Sequence, residues 1–493
     1  MTAPAGSRWL LGAVTMLATL LYTIDTTIVN VALPHMQGTL QATQDQIAWV
    51  VTSYIVVSAI GTPLAGWLGT RYGLRRVLSV AIIGFTLSSA LCGIATDITQ
   101  MVGCRMLQGA CGAALVPLSQ VVLMRGFPAE SQGRVMAWWG TGIMVGPVIG
   151  PTLGGWLTDT LSWRWAFLIN VPVGILAWLG LLAGLPHDEA EGHRPFDMTG
   201  FVLLSLALGL FQLMLDRGET KAWFESTEIV AYAFFAALAL YMFLVHALTR
   251  RHPFVDIHLF RDRNFTVSLV IMFAVGLALI APSVLLPSFL QQLQGYTPTE
   301  AGEMMAARGA ASIVAMQIVA RLGALLGARA TMAIGVVTAA ASLFLMGHFS
   351  VDTPAHAVVW AAALQGLGVP LVFMPLLVIG FATLPRRAQT EAGSLMTLLR
   401  NIGSSIGVSV AVALLARSAQ ANQARLVENF TAFATARWQA LGIVPAADAG
   451  TGALVGEIAR QASAIAYAND FIVLAASTLL TLPLVFLLRA QRG

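Results

Sequence analysis

Apolar runs about as long as a bilayer is thick recur along this chain, separated by short polar interruptions. A helix crossing the hydrocarbon core needs roughly 20 mainly apolar residues. Runs of that kind cover approximately 10–33, 46–68, 75–96, 99–124, 134–157, 163–185, 197–216, 227–249, 265–289, 301–320, 329–349, 355–384, 394–417 and 469–488. They predict an all-α polytopic membrane protein of about fourteen spans. The second, fourth and tenth runs are amphipathic. The first run follows Arg8 as a signal peptide would, but it lacks a small-residue cleavage site and continues through Asp25 and Asn30, so it reads as a retained span.

Composition sharpens this picture. The 493 residues are 57% hydrophobic and only 10% charged, against roughly 25% charged in a soluble domain. The net charge of +4 does not indicate nucleic acid, because the arginines sit in short loops between apolar runs. With a cytoplasmic N-terminus, seventeen arginines collect on the inner side, from Arg8, Arg71 and Arg75 through Arg250, Arg251, Arg386 and Arg387 to Arg492. Seven basic residues, among them Arg164, Lys221, Arg417, Arg437 and Arg460, fall outside. The bias places both termini in the cytoplasm. Cys92, Cys104 and Cys111 lie in apolar runs with no CxxC pair and read as packing residues. No metal-ligand cluster or activated nucleophile pair points to an enzyme. The chain has no GxxxxGK[ST] loop, which excludes direct ATP drive.

The loop Leu68–Arg75 and the loop Leu322–Arg329 share their Leu-Gly, Gly and Arg positions at an offset of 254. With one residue of slack, Arg134 matches Arg387, and Gly150 and Gly154 match Gly403 and Gly407. The chain therefore divides into an N-terminal six-helix bundle (1–190), an inserted pair with linkers (191–260) and a C-terminal six-helix bundle (261–493). Two parallel halves of this kind hold a central site between bundles that rock against each other.

Charges inside spans are costly and face a partner or a cavity. Asp25 lies about 12 Å from the expected outer end of the first span, and Arg105 about 9 Å from the outer start of the fourth, at 1.5 Å per residue. The two share one layer. Arg105, Gln108, Gly112 and Ser119 form a polar stripe expected to face the cavity. A carboxylate held between desolvation and a neighbouring cation can change protonation as access alternates, so Asp25 and Arg105 are candidates for proton coupling. The alternative is a lock between two helices. Thr26, Asn30, Gln108, Ser119, Arg308 and Arg400 are candidates for the substrate cavity. For the last two, snorkelling to an interface or bonding a loop carbonyl competes with binding an anionic group. Gly142, Gly146, Gly150 and Gly154 recur every four residues with Pro147 and Pro151 interleaved. The glycines suit close helix approach, and the prolines suggest a hinge or seal.

These residues resemble the major facilitator superfamily, in its fourteen-helix drug:proton antiporter branch, over essentially the whole chain. The first-span signature is similar to Asp25-Thr26-Thr27-Ile28-Val29-Asn30-Val31-Ala32-Leu33-Pro34, and the loop signature to Gly66–Arg76. Thr70 and Leu74 depart from that loop pattern, while Arg71, Gly73 and Arg75 remain. Arg105, Gln108, Gly109 and Gly112 resemble the proton-coupling motif; Gly146, Pro147, Gly150, Pro151, Gly154 and Gly155 resemble the antiporter motif. Trp163-Arg164-Trp165 and Asn170-Val171-Pro172 also match. The resemblance implies export of hydrophobic or amphiphilic compounds across the inner membrane, with the proton as coupling ion and no other cofactor. A dedicated exporter of one endogenous compound, such as a siderophore, fatty acid or lysolipid, shares the same motifs. The EmrB type is the most similar branch, partly through a long outer segment, 418–468, where Leu426, Phe430, Phe433 and Leu441 recur at near-helical spacing. Pumps of that type imply a periplasmic membrane-fusion adaptor and an outer-membrane channel; a solvated flap without a partner is the competing reading.

Overall fold

The computed structural model describes residues 5–184, 195–250, 252–385, 388–428 and 450–488. Arg194, Arg251, Arg386, Arg387, Arg437, Arg489 and Arg492, used for sidedness, lie outside them, as does one partner of the Arg134–Arg387 match. Thirteen helices among the described residues are long and apolar enough to cross a bilayer. The 32-residue helix Ala129–Thr160 makes the fourteenth span.

In chain order the spans are α1 (Ala5–Thr39), α2 (Gln44–Tyr72), α3 (Leu74–Ile94), α4 (Ile98–Gly112 and Leu115–Gly126) and α5 (Ala129–Thr160). Next come α6 (Trp165–Leu168 and Asn170–Gly184), α7 (Met198–Arg217), α8 (Thr227–Thr249), α9 (Arg263–Leu279 and Pro282–Gln292) and α10 (Pro298–Leu326). The last four are α11 (Ala328–Met346), α12 (Ala355–Ala382), α13 (Gln389–Glu428) and α14 (Gly450–Leu479 and Leu482–Leu487). Four spans break where a proline follows. Pro117, Pro172, Pro282 and Pro483 cannot donate to the carbonyl four residues back, and their rings crowd it. The breaks fall at Ala113–Ala114, Ile169, Ile280–Ala281 and Leu480–Thr481.

The duplication is written into the caps. Thr43 opens α2 with a reciprocal box: its hydroxyl accepts from the Gln46 N–H at 3.3 Å, and Gln46 Oε1 accepts from the Thr43 N–H at 3.0 Å. Thr297 and Glu300 repeat it at the start of α10, at 3.3 and 2.8 Å. Gly73 and Gly327 follow α2 and α10 at φ 87° and 82°, a region only glycine enters freely, and each N–H bonds the carbonyl four residues back. Every pair is 254 positions apart.

In lipid, apolar burial gives little drive for helix association, so close packing of small residues supplies it. On α5, a Cβ at Gly146 or Gly150 would lie 2.2 or 2.0 Å from the hydroxyls of Thr23 or Thr27 on α1. In the second half, a Cβ at Gly403 or Gly407 would lie 2.2 or 2.1 Å from the Phe273 or Leu277 carbonyl on α9. The inserted α7 and α8 pack on each other, and α8 turns Phe234 and Leu248 outward to the lipid. α7 also lies across the seam between the halves. Thr52 of α2 donates to the Asp216 carboxylate, and Ser409 of α13 donates to the Leu215 carbonyl at 3.1 Å.

The halves meet near the ends of α2 and α4 that carry Arg71 and Arg125. A Cβ at Gly66 or Gly69 would lie 2.7 or 2.8 Å from Ser394 or Thr390 on α13, and Arg125 donates to Thr390 at 2.9 Å. Gly140 of α5 meets Met316 and Met374.

Several boundaries differ from the hydropathy pattern. α1 continues to Thr39 instead of stopping near residue 33, which puts Asp25 about 21 Å from its end at 1.5 Å per residue. The described parts of the outer segment are helical continuation: α13 runs on to Glu428 and α14 begins at Gly450, not near 469. Asn422 donates to the Ala462 carbonyl at 3.4 Å, tying the two arms together. Leu426 lies on α13; Phe430, Phe433 and Leu441 lie outside the described residues.

Candidate functional site

α4 starts on an Asp97 cap that accepts the Gln100 N–H at 2.9 Å. Two turns further in, Arg105 and Gln108 share one face at three-residue spacing. Across from them stands Asp25 of α1. Arg105 Nη1 donates to Asp25 Oδ2 at 2.7 Å and to Gln108 Oε1 at 2.6 Å, while its Nε donates to the Val50 carbonyl at 3.0 Å. Asp25 Oδ1 accepts from Gln108 Nε2 at 2.8 Å and from Asn170 Nδ2 at 3.0 Å. Both amides also donate to Ser89 Oγ, which in turn donates to the Phe167 carbonyl at 2.9 Å. Residues from α1, α3, α4 and α6 thus close one network, and α2 supplies a carbonyl. Asp25, Arg105, Gln108, Ser89 and Asn170 are each at most 2% exposed.

Among the described residues every group bonded to Asp25 donates, so the site is built around the anion. A proton on either oxygen would meet an N–H already pointing at it, and one donor would have to leave. Tyr54 of α2 stacks under the Arg105 guanidinium at 4.1 Å, a cation–π contact, and its hydroxyl has no hydrogen-bond partner among the described residues. Tyr22 of α1 lies beside it, with ring centroids 6.2 Å apart.

The sequence brought Asp25, Arg105 and Gln108 into one layer, and the structure joins them directly. Gln108 is a member of this network and not an open cavity wall, because both ends of its amide are used up inside it. Ser89, Tyr54 and Asn170 were missed as site residues; Asn170 stood in a quoted motif, and the other two look like ordinary polar positions in apolar runs. The polar stripe ending in Ser119 is interrupted, since the break at Ala113–Ala114 separates Gly112 from the fully buried Ser119.

The other candidates are dispersed. Thr26 donates to the Thr23 carbonyl at 3.0 Å, and the Asn30 side chain lies outside the described residues. Arg308 neither snorkels nor bonds a loop carbonyl: its Nη1 donates to the Ser283 hydroxyl on α9 at 2.6 Å. Arg400 does not snorkel either. Among the described residues it bonds its neighbour Asn401 at 3.4 Å and faces the Phe373 ring at 5.7 Å. Arg71 lines a cleft with Glu391 and Ser394 at the seam, and Arg75 donates to the Leu182 carbonyl at 2.8 Å. Gly146, Gly150 and Gly154 form the α1 contact, with Ile28 meeting Gly154. The helix of α5 runs uninterrupted through Pro147 and Pro151, whose side chains lie outside the described residues.

A family model described as Major Facilitator Superfamily matches residues 15–408, most of the fourteen-helix bundle and the whole of this network. The chain belongs to the Major Facilitator Superfamily. It is 37% identical to the multidrug export protein EmrB of Haemophilus influenzae over 407 residues, covering 82% of this chain and 80% of that protein. It is 35% identical to the fatty acid resistance protein FarB of Neisseria gonorrhoeae over 418 residues, 85% of this chain and 82% of FarB. The superfamily fold is seen in the human organic anion transporter MFSD10, at a TM-score of 0.63 and 15% identity over 98% of this chain and all of that one. The proton:xylose symporter XylE gives 0.61 and 14% over 96% and 95%.

Proposed function

We propose that this superfamily member is a transporter, and not an enzyme, that exports hydrophobic and amphiphilic compounds across the inner membrane by alternating access, driven by inward protons. The observation that carries the coupling is the buried Asp25–Arg105 pair, whose carboxylate is held by donors alone. Asp25 takes the proton; Arg105, which keeps its own, releases the carboxylate when protonation cancels the ion pair and frees α1 against α4. Closure of the two halves at the Arg71–Arg125 end supports a state in which Asp25 is to be reached from the opposite side. Multidrug export by the EmrB relative supports breadth of substrate.

The arginine bias supports cytoplasmic termini, and the 254-residue repeat supports the division into 1–190, 191–260 and 261–493. The paired arms of α13 and α14 offer a surface for a periplasmic adaptor leading to an outer-membrane channel. Deleting the arms should abolish adaptor cross-linking; undiminished cross-linking would reduce them to a flap. A second reading, export of one endogenous lipid-like compound, is favoured by the FarB relative. Proteoliposomes with an imposed pH gradient test the main reading: substrate movement should follow the gradient, and transport that persists without it would sink the antiport claim.

A further inference from the structure

We propose that Arg400 grips the anionic headgroup of an amphiphilic substrate, a carboxylate or sulfonate, at the boundary between the two halves. This rests on the export reading above and names the chemistry of its substrate. An arginine keeps its charge in any protein environment, and a charge inside a membrane bundle calls for a partner. Arg105 has one in Asp25. Among the described residues Arg400 has no carboxylate partner; its contacts are the weak Asn401 bond at 3.4 Å and the face of Phe373.

Its position is fixed from behind. A Cβ at Gly276 of α9 would lie 2.2 Å from the Arg400 carbonyl, so α9 and α13 touch backbone to backbone there, with Gly403 and Gly407 extending the contact. Only the side chain is left to adapt, and it is half-buried. Tyr22 of the first half packs against the apolar cluster that holds Phe373 and Leu398 of the second. Phe373 and Tyr22 provide aromatic walls for a tail, and Arg400 provides the cation. Arg308 is less suited, because the Ser283 hydroxyl already occupies it at 2.6 Å. Tyr22 also leans on Tyr54, which underlies Arg105. Tyr22 therefore touches both the cluster around Phe373 and the ring beneath Arg105.

The test is equilibrium binding to the purified full chain in lipid nanodiscs, with dansyl-undecanoate as the anionic probe and ethidium as the cationic one. Arg400→Gln should weaken the carboxylate probe about tenfold or more, the loss expected for a charge-assisted hydrogen bond, while ethidium binding stays unchanged and reports an intact fold. Arg400→Lys should fall between the two, keeping charge but losing the planar fork. Unaltered dansyl-undecanoate affinity in Arg400→Gln overturns the proposal, and so does equal weakening of both probes. An equal loss in Arg308→Gln would mean that the field of the whole cavity selects the anion, and would also overturn it. Selective loss in Arg400→Gln alongside failure of pH-driven transport by the unaltered protein would sustain this assignment and sink the export reading.

Discussion

Replacing Asp25 by asparagine keeps the shape of the side chain and removes its charge. Oδ1 accepts two bonds and Oδ2 one. An amide that keeps the first two must aim its NH2 at Arg105 Nη1, donor against donor at the present 2.7 Å. Arg105, 1% exposed, is then a buried cation with no anion. Removing one partner of a buried ion pair costs about 3–5 kcal/mol, so Asp25→Asn should lose stability of that order and also lose coupled transport. On its own this does not separate coupling from a structural lock. The double variant Asp25→Asn with Arg105→Gln does, because it buries neutral groups that bond one another. Replacement of a whole buried pair is often close to neutral, so the double variant should recover most of the lost stability, with a strongly favourable coupling energy between the two changes. Unfolding in SDS titrations measures the stability, and substrate movement against an imposed pH gradient measures the function. The double variant should unfold like the unaltered protein and still fail to transport. If it instead transports in proportion to the pH gradient, the pair is a lock and the coupling argument is wrong.

At the glycine ridge, Gly150→Ala drives a methyl into the Thr27 hydroxyl; overpacking of this kind costs about 1–3 kcal/mol, and Thr27→Ala in the same chain should return part of it in thermal unfolding. At the entry of α7, just outside the membrane span, burial pulls the Asp197 carboxyl up, but the Gly200 N–H, His246 and the Phe254 N–H together hold it below the usual carboxylate range. A lowered folded value means stability that is present above the unfolded value of about 3.9 and lost as pH falls below it. Hydrogen exchange at the Gly200 and Phe254 amides should therefore stay slow at neutral pH and quicken on acidification through that range. Asp197→Ala should quicken it at every pH, with a loss of about 1 kcal/mol for the missing cap.

The span pattern was legible because lipid imposes length and hydropathy on every crossing segment, and all fourteen runs correspond to helices. The Asp25–Arg105 layer was legible for a related reason: two charges in apolar runs at similar depth must find each other. That depth argument placed the pair correctly even though α1 ends six residues later than its apolar run suggests. Ser89 and Asn170 were not legible, since a serine or asparagine in a span bonds its own backbone as readily as a distant carboxylate. The arms of α13 and α14 were hidden for the opposite reason. Hydropathy registers only the membrane part of a helix, whereas residues 416–428 continue α13 on alanine, glutamine and arginine, which favour helix in water. The breaks ahead of Pro117, Pro172, Pro282 and Pro483 had a visible signal in the prolines themselves. Arg308 differed from expectation because a hydroxyl from α9 stands within reach, a neighbour that only the folded bundle supplies.

The matching glycine turns at Gly73 and Gly327 carry a rule of parity. A parallel repeat requires both turns to emerge on the same face of the membrane, so the number of crossings between them must be even. Eight helices, α3 to α10, lie in that interval. Had the insertion supplied one helix, the second half would have entered the bilayer upside down, with its capping box, its glycine ridge and Arg400 all presented to the wrong side. An insertion here can change length, surface and lipid contact freely, provided it comes in hairpins.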